Sequence, residues 1–344
     1  MRTIRPLLAG TITLAMLGTL PLSGSAQDTA ADAVDAAWPA GGAASVRAPM
    51  PSLGCGRSDV EAGLSNGEPL VIDGEEREWT MFVPQAYDGM DPVPLWVQLH
   101  GKNGSYLSSA FLVASTAEKH SFVVVAPQGS YGNPSWLWGK ADHDVDLTRA
   151  NPDFAFVEAL IAHLGEVLCL DLARVYAVGE NQGGYAVTGL ACVLENHLAA
   201  VATVSGVYDL GERCVLDRPV PLLSVHGRND AHALFDGGSG PHIAGLALSG
   251  DGERMVYGDH PIVKTYQSAS IPTRMEGIAM RNGCEPSPTV QVIGDEQERW
   301  TWDCPAGAEV ELVTHEGGYE WPIGEPLAID ERIWEFFEQH PMPE

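Results

Sequence analysis

The residues of this chain whose types and spacing could do chemistry collect in four short loops. Gly179-Glu180-Asn181-Gln182-Gly183-Gly184 is a glycine-flanked turn with small residues two before and two after position 181. That spacing suits a tight strand-to-helix elbow, whose central residue is held in a strained conformation and presented to a substrate for acyl transfer. A nucleophile there needs an activatable oxygen or sulfur, and position 181 is asparagine. Its amide nitrogen is delocalised into the carbonyl, so no neighbouring base makes a nucleophile of it. His226-Gly227-Arg228-Asn229-Asp230 places Asp230 at the acid position, and His315-Glu316-Gly317-Gly318-Tyr319-Glu320-Trp321-Pro322 places Tyr319 where the base would follow. Tyrosine, with a pKa of about 10, stays protonated at neutral pH and is a poor general base.

Losing nucleophile and base together costs several orders of magnitude in rate, because the two act as a unit. Oxyanion donors are a separate matter. The backbone N–H of Gln182 and one from the Gly101-Lys102 turn, in the loop His100-Gly101-Lys102-Asn103-Gly104, would still point at a bound carbonyl or carboxylate. Such a site binds what it does not cleave.

Other groups near these loops have plainer readings. His315 reads as a strand-end histidine with a local hydrogen bond, and Ser205 and Ser224 as buried, hydrogen-bonded hydroxyls. Glu180, His226, Asp230, His315 and Glu316 offer nitrogen and oxygen ligands without the spacing of a zinc or calcium site, so no metal and no other cofactor is expected. His232, His242 and His260 are unpatterned and read as surface residues. Trp136 and Trp138 either line an aromatic cleft or pack their loop onto the domain. Lys102 and Arg228 would attract a carboxylate in an otherwise acidic protein.

The elements that must position these loops are legible as alternating patterns. Trp79 to Val83, Leu95 to Leu99, Phe122 to Ala126, Val175 to Val178, Val201 to Val204, Leu222 to Val225 and Val310 to Val313 are apolar runs of strand length. Leu107 to Lys119, Phe154 to Leu168, Gly184 to Glu195 and Ile329 to Gln339 space their apolar residues three and four apart, as helices do. Uninterrupted apolar strands alternating with helices predict a doubly wound, mostly parallel α/β sheet with helices on both faces. The four loops then fall beyond the carboxyl ends of strands, where such sheets bind ligands.

With these motifs the chain resembles the secreted polyhydroxybutyrate depolymerase and feruloyl esterase family, from about Gly54 to Phe337. The matching stretches are Leu99-His100-Gly101, the elbow with Gly183-Gly184, Val175-Tyr176-Ala177, His226-Gly227 through Asp230, Gly237-Gly238, Asn282-Gly283-Cys284 and Trp321-Pro322. The resemblance implies an α/β-hydrolase fold and serine-dependent hydrolysis of carboxylic esters. The departures fall on the catalytic positions, Asn181 for the family's serine and Tyr319 for its histidine, while Asp230 matches. A catalytically inactive relative that binds an ester or carboxylate is therefore the expected function. An active ester hydrolase, acting on a polyester or a feruloylated or acetylated polysaccharide by some other arrangement, is the alternative.

Composition bounds the rest. Residues 1–26 read as a secretory signal, with Arg2 and Arg5, an apolar core from Leu7 to Leu20, and Gly24-Ser25-Ala26 before Gln27. Residues 27–54, rich in Ala, Gly and Pro, are expected to form a flexible leader, and residues 55–344 a single domain. The product would be secreted or periplasmic, with no membrane contact after cleavage. Acidic residues number 46 against 19 basic, and losing Arg2 and Arg5 takes the formal charge from -27 to -29. Phosphate-rich partners are repelled, so no nucleic acid is expected. Six cysteines in an exported chain indicate disulfides. Loop closure and proximity favour Cys192 with Cys214 and Cys284 with Cys304, which leaves Cys55 with Cys169. Oligomeric state is not legible.

Overall fold

The computed structural model describes residues 47–57, 59–130, 136, 147–238, 269–294, 296–319, 321 and 328–344. The expected signal segment and most of the leader lie outside the described residues.

Each apolar run forms a strand. These are β4 (Trp79–Val83), β5 (Val93–Leu99), β6 (Val123–Pro127), β7 (Leu170–Glu180), β8 (Ala200–Val204), β9 (Leu222–Gly227) and β12 (Val310–His315). They belong to one ten-stranded sheet in the order β1-β4-β6-β5-β7-β8-β9-β12-β11-β10, where β1 is Gly63–Asn66, β10 Thr289–Gly294 and β11 Gln297–Thr301. The run from β6 to β12 is parallel throughout, and antiparallel pairs flank it at both edges. A separate hairpin joins β2 (Leu70–Ile72) to β3 (Glu75–Arg77). The outer strands β1 and β10 are largely exposed, so they carry no continuous apolar run that would mark them in the sequence.

Alternation along β5 shows why both faces need helices. Leu95, Val97 and Leu99 enter one core while Trp96 enters the other. Each such side chain withdrawn from water contributes about 1.5–3 kcal/mol. Helices α3 (Pro152–Val167), α4 (Gln182–Val193) and α5 (Ile271–Arg281) fill the first core. Helices α1 (Tyr106–Leu112), α2 (Ala114–His120) and α6 (Ile329–Glu338) fill the second. The α3 start is built locally: Pro152 takes the first turn, and Asn151 Oδ1 accepts the Asp153 N–H at 3.0 Å.

Three expectations need correction. The single helix expected from Leu107 to Lys119 is two helices that meet at Val113 (φ -109°, ψ 8°), a break that turns Ala110, Val113 and Ala117 alike into the core. Helix α5 was not anticipated. The leader also ends earlier than Gly54. Ser52 is buried, its Oγ donating to Leu168 O (2.5 Å) and accepting from Leu170 N–H (2.9 Å), and the Leu172 N–H bonds Met50 O at 2.8 Å. This docking uses backbone, the Ser52 hydroxyl and the Arg47 guanidinium, which donates to Met342 O, rather than apolar bulk, so composition does not reveal it.

The cysteines pair as Cys55–Cys169, Cys192–Cys214 and Cys284–Cys304. The first ties the start of the domain to the strand that ends at the elbow.

Glycine replacement measures how closely the chain packs there. A Cβ on Gly206 would lie 2.0 Å from Asn181 O, whereas one on Gly165, inside α3, meets Leu172 Cδ2 and Ser52 Cβ at an ordinary 3.7 Å. Chemical denaturation is expected to show Gly206→Ala losing more than about 3 kcal/mol, by overpacking and backbone displacement. Gly165→Ala should gain about 0.5–1 kcal/mol from helix propensity. Equal effects would mean the two environments are misassigned.

Candidate active site

Strand order reverses direction of winding between β5 and β7, and a crevice at their carboxyl ends is where such a sheet receives a ligand. Asn181 stands at that point, immediately after β7 and before α4. Its backbone has φ 52° and ψ -114°, a region that costs a non-glycine residue about 1–3 kcal/mol. Neighbouring backbone leaves no alternative. The Asn181 N–H bonds Val204 O at 2.9 Å, and a Cβ on Gly179 would lie 2.1 Å from Gly183 O. The side chain is thereby presented outward at the N-terminus of α4.

Across the crevice, the loop after β5 is held by its own histidine. His100 Nδ1–H donates to Gly101 O (2.7 Å), while Nε2 accepts the Gly129 N–H (3.0 Å). Burial pushes its pKa down, consistent with this neutral tautomer. The Trp136 indole N–H donates to His100 O at 2.8 Å. The loop so braced aims the Lys102 N–H at Asn181 Oδ1, 3.4 Å away. One expected oxyanion donor therefore faces the amide oxygen of Asn181. Trp136 is buried and braces this loop; it does not line an open cleft. Trp138 lies outside the described residues.

Asp230 follows β9 and is buried. Its Oδ1 accepts the backbone N–H groups of His232 (2.7 Å) and Ala233 (3.1 Å). Among the described residues Oδ2 has no hydrogen-bond partner, and the nearest ring nitrogen is His226 Nε2 at 3.4 Å. His226 Nε2–H donates to Ala233 O instead, at 2.9 Å, and burial drives this imidazole down to about 4, so it is neutral. Burial raises the Asp230 carboxyl, partly offset by the two backbone N–H groups and by the positive charge of Arg274. Arg274, on α5, is buried and donates to Val207 O at 3.2 Å. It was invisible in the sequence because α5 itself was.

Tyr319 is half-buried and packs on His232, with ring centroids 4.2 Å apart. His232 Nδ1 lies 3.8 Å from Asp230 Oδ1. The histidine expected on the surface thus stands against both the acid and the base position, and its spacing two residues beyond Asp230 was the available signal. His315 makes the local bond expected of it, Nδ1 accepting the Gly317 N–H at 3.0 Å. Ser224 Oγ bonds Thr203 Oγ1 at 3.0 Å, whereas Ser205 Oγ is buried with no hydrogen-bond partner among the described residues, contrary to expectation. Arg228 is not available to a carboxylate ligand: it pairs with Glu298 and Glu316 and its guanidinium lies over Phe235. Lys102 is exposed. His242 and His260 lie outside the described residues, and among those described no three His, Cys, Asp or Glu side chains form a group able to hold a metal ion.

No family model matches the chain. It is 25% identical over 296 residues to the Probable feruloyl esterase C of Aspergillus flavus, covering 83% of this chain and 90% of that protein. With Feruloyl esterase B of Piromyces equi it shares 25% identity over 270 residues, 76% of this chain and 44% of that one. The acetyl xylan esterase from Aspergillus awamori superposes with a TM-score of 0.54 at 12% identity, covering 81% of this chain and 100% of that chain. The parallel sheet, the covering helices and this superposition define an α/β-hydrolase fold. Over most of its length the chain is similar in sequence to feruloyl esterases.

Glu180, beside Asn181, is half-buried, and burial raises its carboxyl. A carboxyl whose folded pKa lies above its unfolded value destabilises the fold progressively as pH rises from the unfolded value, about 4.3, through the folded one. Glu180→Gln is therefore expected to raise Tm by about 2 °C at pH 7 and to leave it unchanged at pH 3.5. A benefit at pH 3.5 as large as at pH 7 would contradict a charge-burial cause.

Proposed function

We propose that this chain is a secreted esterase relative that binds an ester or carboxylate without cleaving it. The observation that carries the reading is Asn181 at the apex of the elbow, with its amide oxygen facing the Lys102 N–H. An amide held there has no proton acidic enough for a side-chain base to remove, and its nitrogen lone pair is delocalised into the carbonyl. Tyr319 at the base position supports the same conclusion from the other end of the proton-transfer chain, because a phenol does not accept a proton at neutral pH as an imidazole does. Three disulfides and the apolar N-terminal segment support export to an oxidising compartment. Feruloylated or acetylated polysaccharides, or polyesters, are the ligand classes its relatives and its motifs suggest.

The second reading, an active carboxylic ester hydrolase with another catalytic arrangement, is favoured by one feature. Asp230 keeps one oxygen saturated by backbone N–H groups and the other open, as an acid that orients a base requires.

A p-nitrophenyl acetate assay on the mature chain and on Asp230→Ala separates the two. Both proteins are expected to run at the rate of buffer alone. Turnover by the natural chain that Asp230→Ala abolishes would establish the second reading.

A further inference from the structure

Asp230 has an imidazole beside it, supplied by its own loop. His232 Nδ1 is 3.8 Å from Asp230 Oδ1, its backbone N–H anchors that same oxygen, and its ring lies on that of Tyr319. About a third of the side chain is exposed, while Nδ1 faces the buried carboxylate. Asn181, Asp230 with His232, and Tyr319 follow β7, β9 and β12, three strands within four neighbouring positions of the sheet, all at the carboxyl edge. Backbones two strands apart are separated by about 10 Å, a distance side chains on facing loops bridge.

We infer that His232 is the general base of this site, relocated from the last loop to the acid loop, so that the chain lacks a nucleophile but not a base. Tyr319 then serves as the surface on which the imidazole rests. The inference rests on reading the elbow as an esterase site whose nucleophile is missing. Given a serine at position 181, the chemistry closes without any further group. The hydroxyl attacks the acyl carbon as its proton passes to the imidazole, and that proton leaves with the alcohol as the ester C–O bond breaks. Water then repeats the sequence on the acyl-enzyme, giving its proton to His232 and releasing the acid as the serine oxygen regains a proton.

The test compares p-nitrophenyl acetate hydrolysis by the natural chain, Asn181→Ser, and Asn181→Ser with His232→Gly, each with its melting curve. Asn181→Ser alone is expected to gain at least about 100-fold in kcat/KM, the lower range of general-base assistance. Adding His232→Gly should remove that gain, and free imidazole should restore part of it, which a purely structural role would not allow. A folded Asn181→Ser protein with no gain overturns the inference, as does a gain that survives His232→Gly or one that requires Tyr319→His. Should the serine variant fail to fold, Asn181→Cys decides by its iodoacetamide alkylation rate, which His232→Gly should slow by about tenfold through loss of thiolate; equal rates overturn it. Failure of the non-cleaving reading is distinguished by the natural chain alone, which would itself turn over.

Discussion

The structure turns on one strained residue. At the elbow the backbone must leave a buried parallel strand, reverse, and enter a helix within one residue, and Asn181 adopts a positive φ to do so. That conformation persists because the neighbouring backbones approach too closely for any side chain at Gly179, Gly183 or Gly206. The side chain this constraint presents is an amide. Strain of this kind is kept by packing and does not depend on which side chain stands at the elbow.

The surrounding loops depend on the same point. His100 and Trp136 brace the turn that carries the Lys102 N–H toward position 181, and Arg274, arriving from a helix far along the chain, offsets the buried charge of Asp230. Each is a satisfied local arrangement in its own right. With an amide at the elbow, the donor loop, the buried Asp230 and their supports all stand.

The interior of this fold was legible where burial is two-sided. Trp79 to Val83 matches β4 residue for residue, because a strand covered on both faces is mostly apolar, its one polar residue, Thr80, being hydrogen-bonded to Ser65 O. The edge strands β1 and β10 and the docking of Ser52 were not legible, since backbone hydrogen bonds hold them and backbone leaves no mark on composition. The elbow at Asn181 and the loop position of Asp230 after β9 could be read from glycine spacing and loop order. His232 offered only its spacing two residues beyond Asp230 as a signal; that its ring meets Tyr319 arises when β9 and β12 pair in register. Trp136 was weighed between cleft and packing, and burial decides for packing.

The central claim is that position 181 presents no nucleophile to a bound acyl group. Intact-mass spectrometry of the mature chain after prolonged incubation with a fluorophosphonate, which marks an activated serine covalently, addresses it directly. The expected result is an unchanged mass. A single stoichiometric adduct, lost when Asp230 is replaced by alanine, would contradict it.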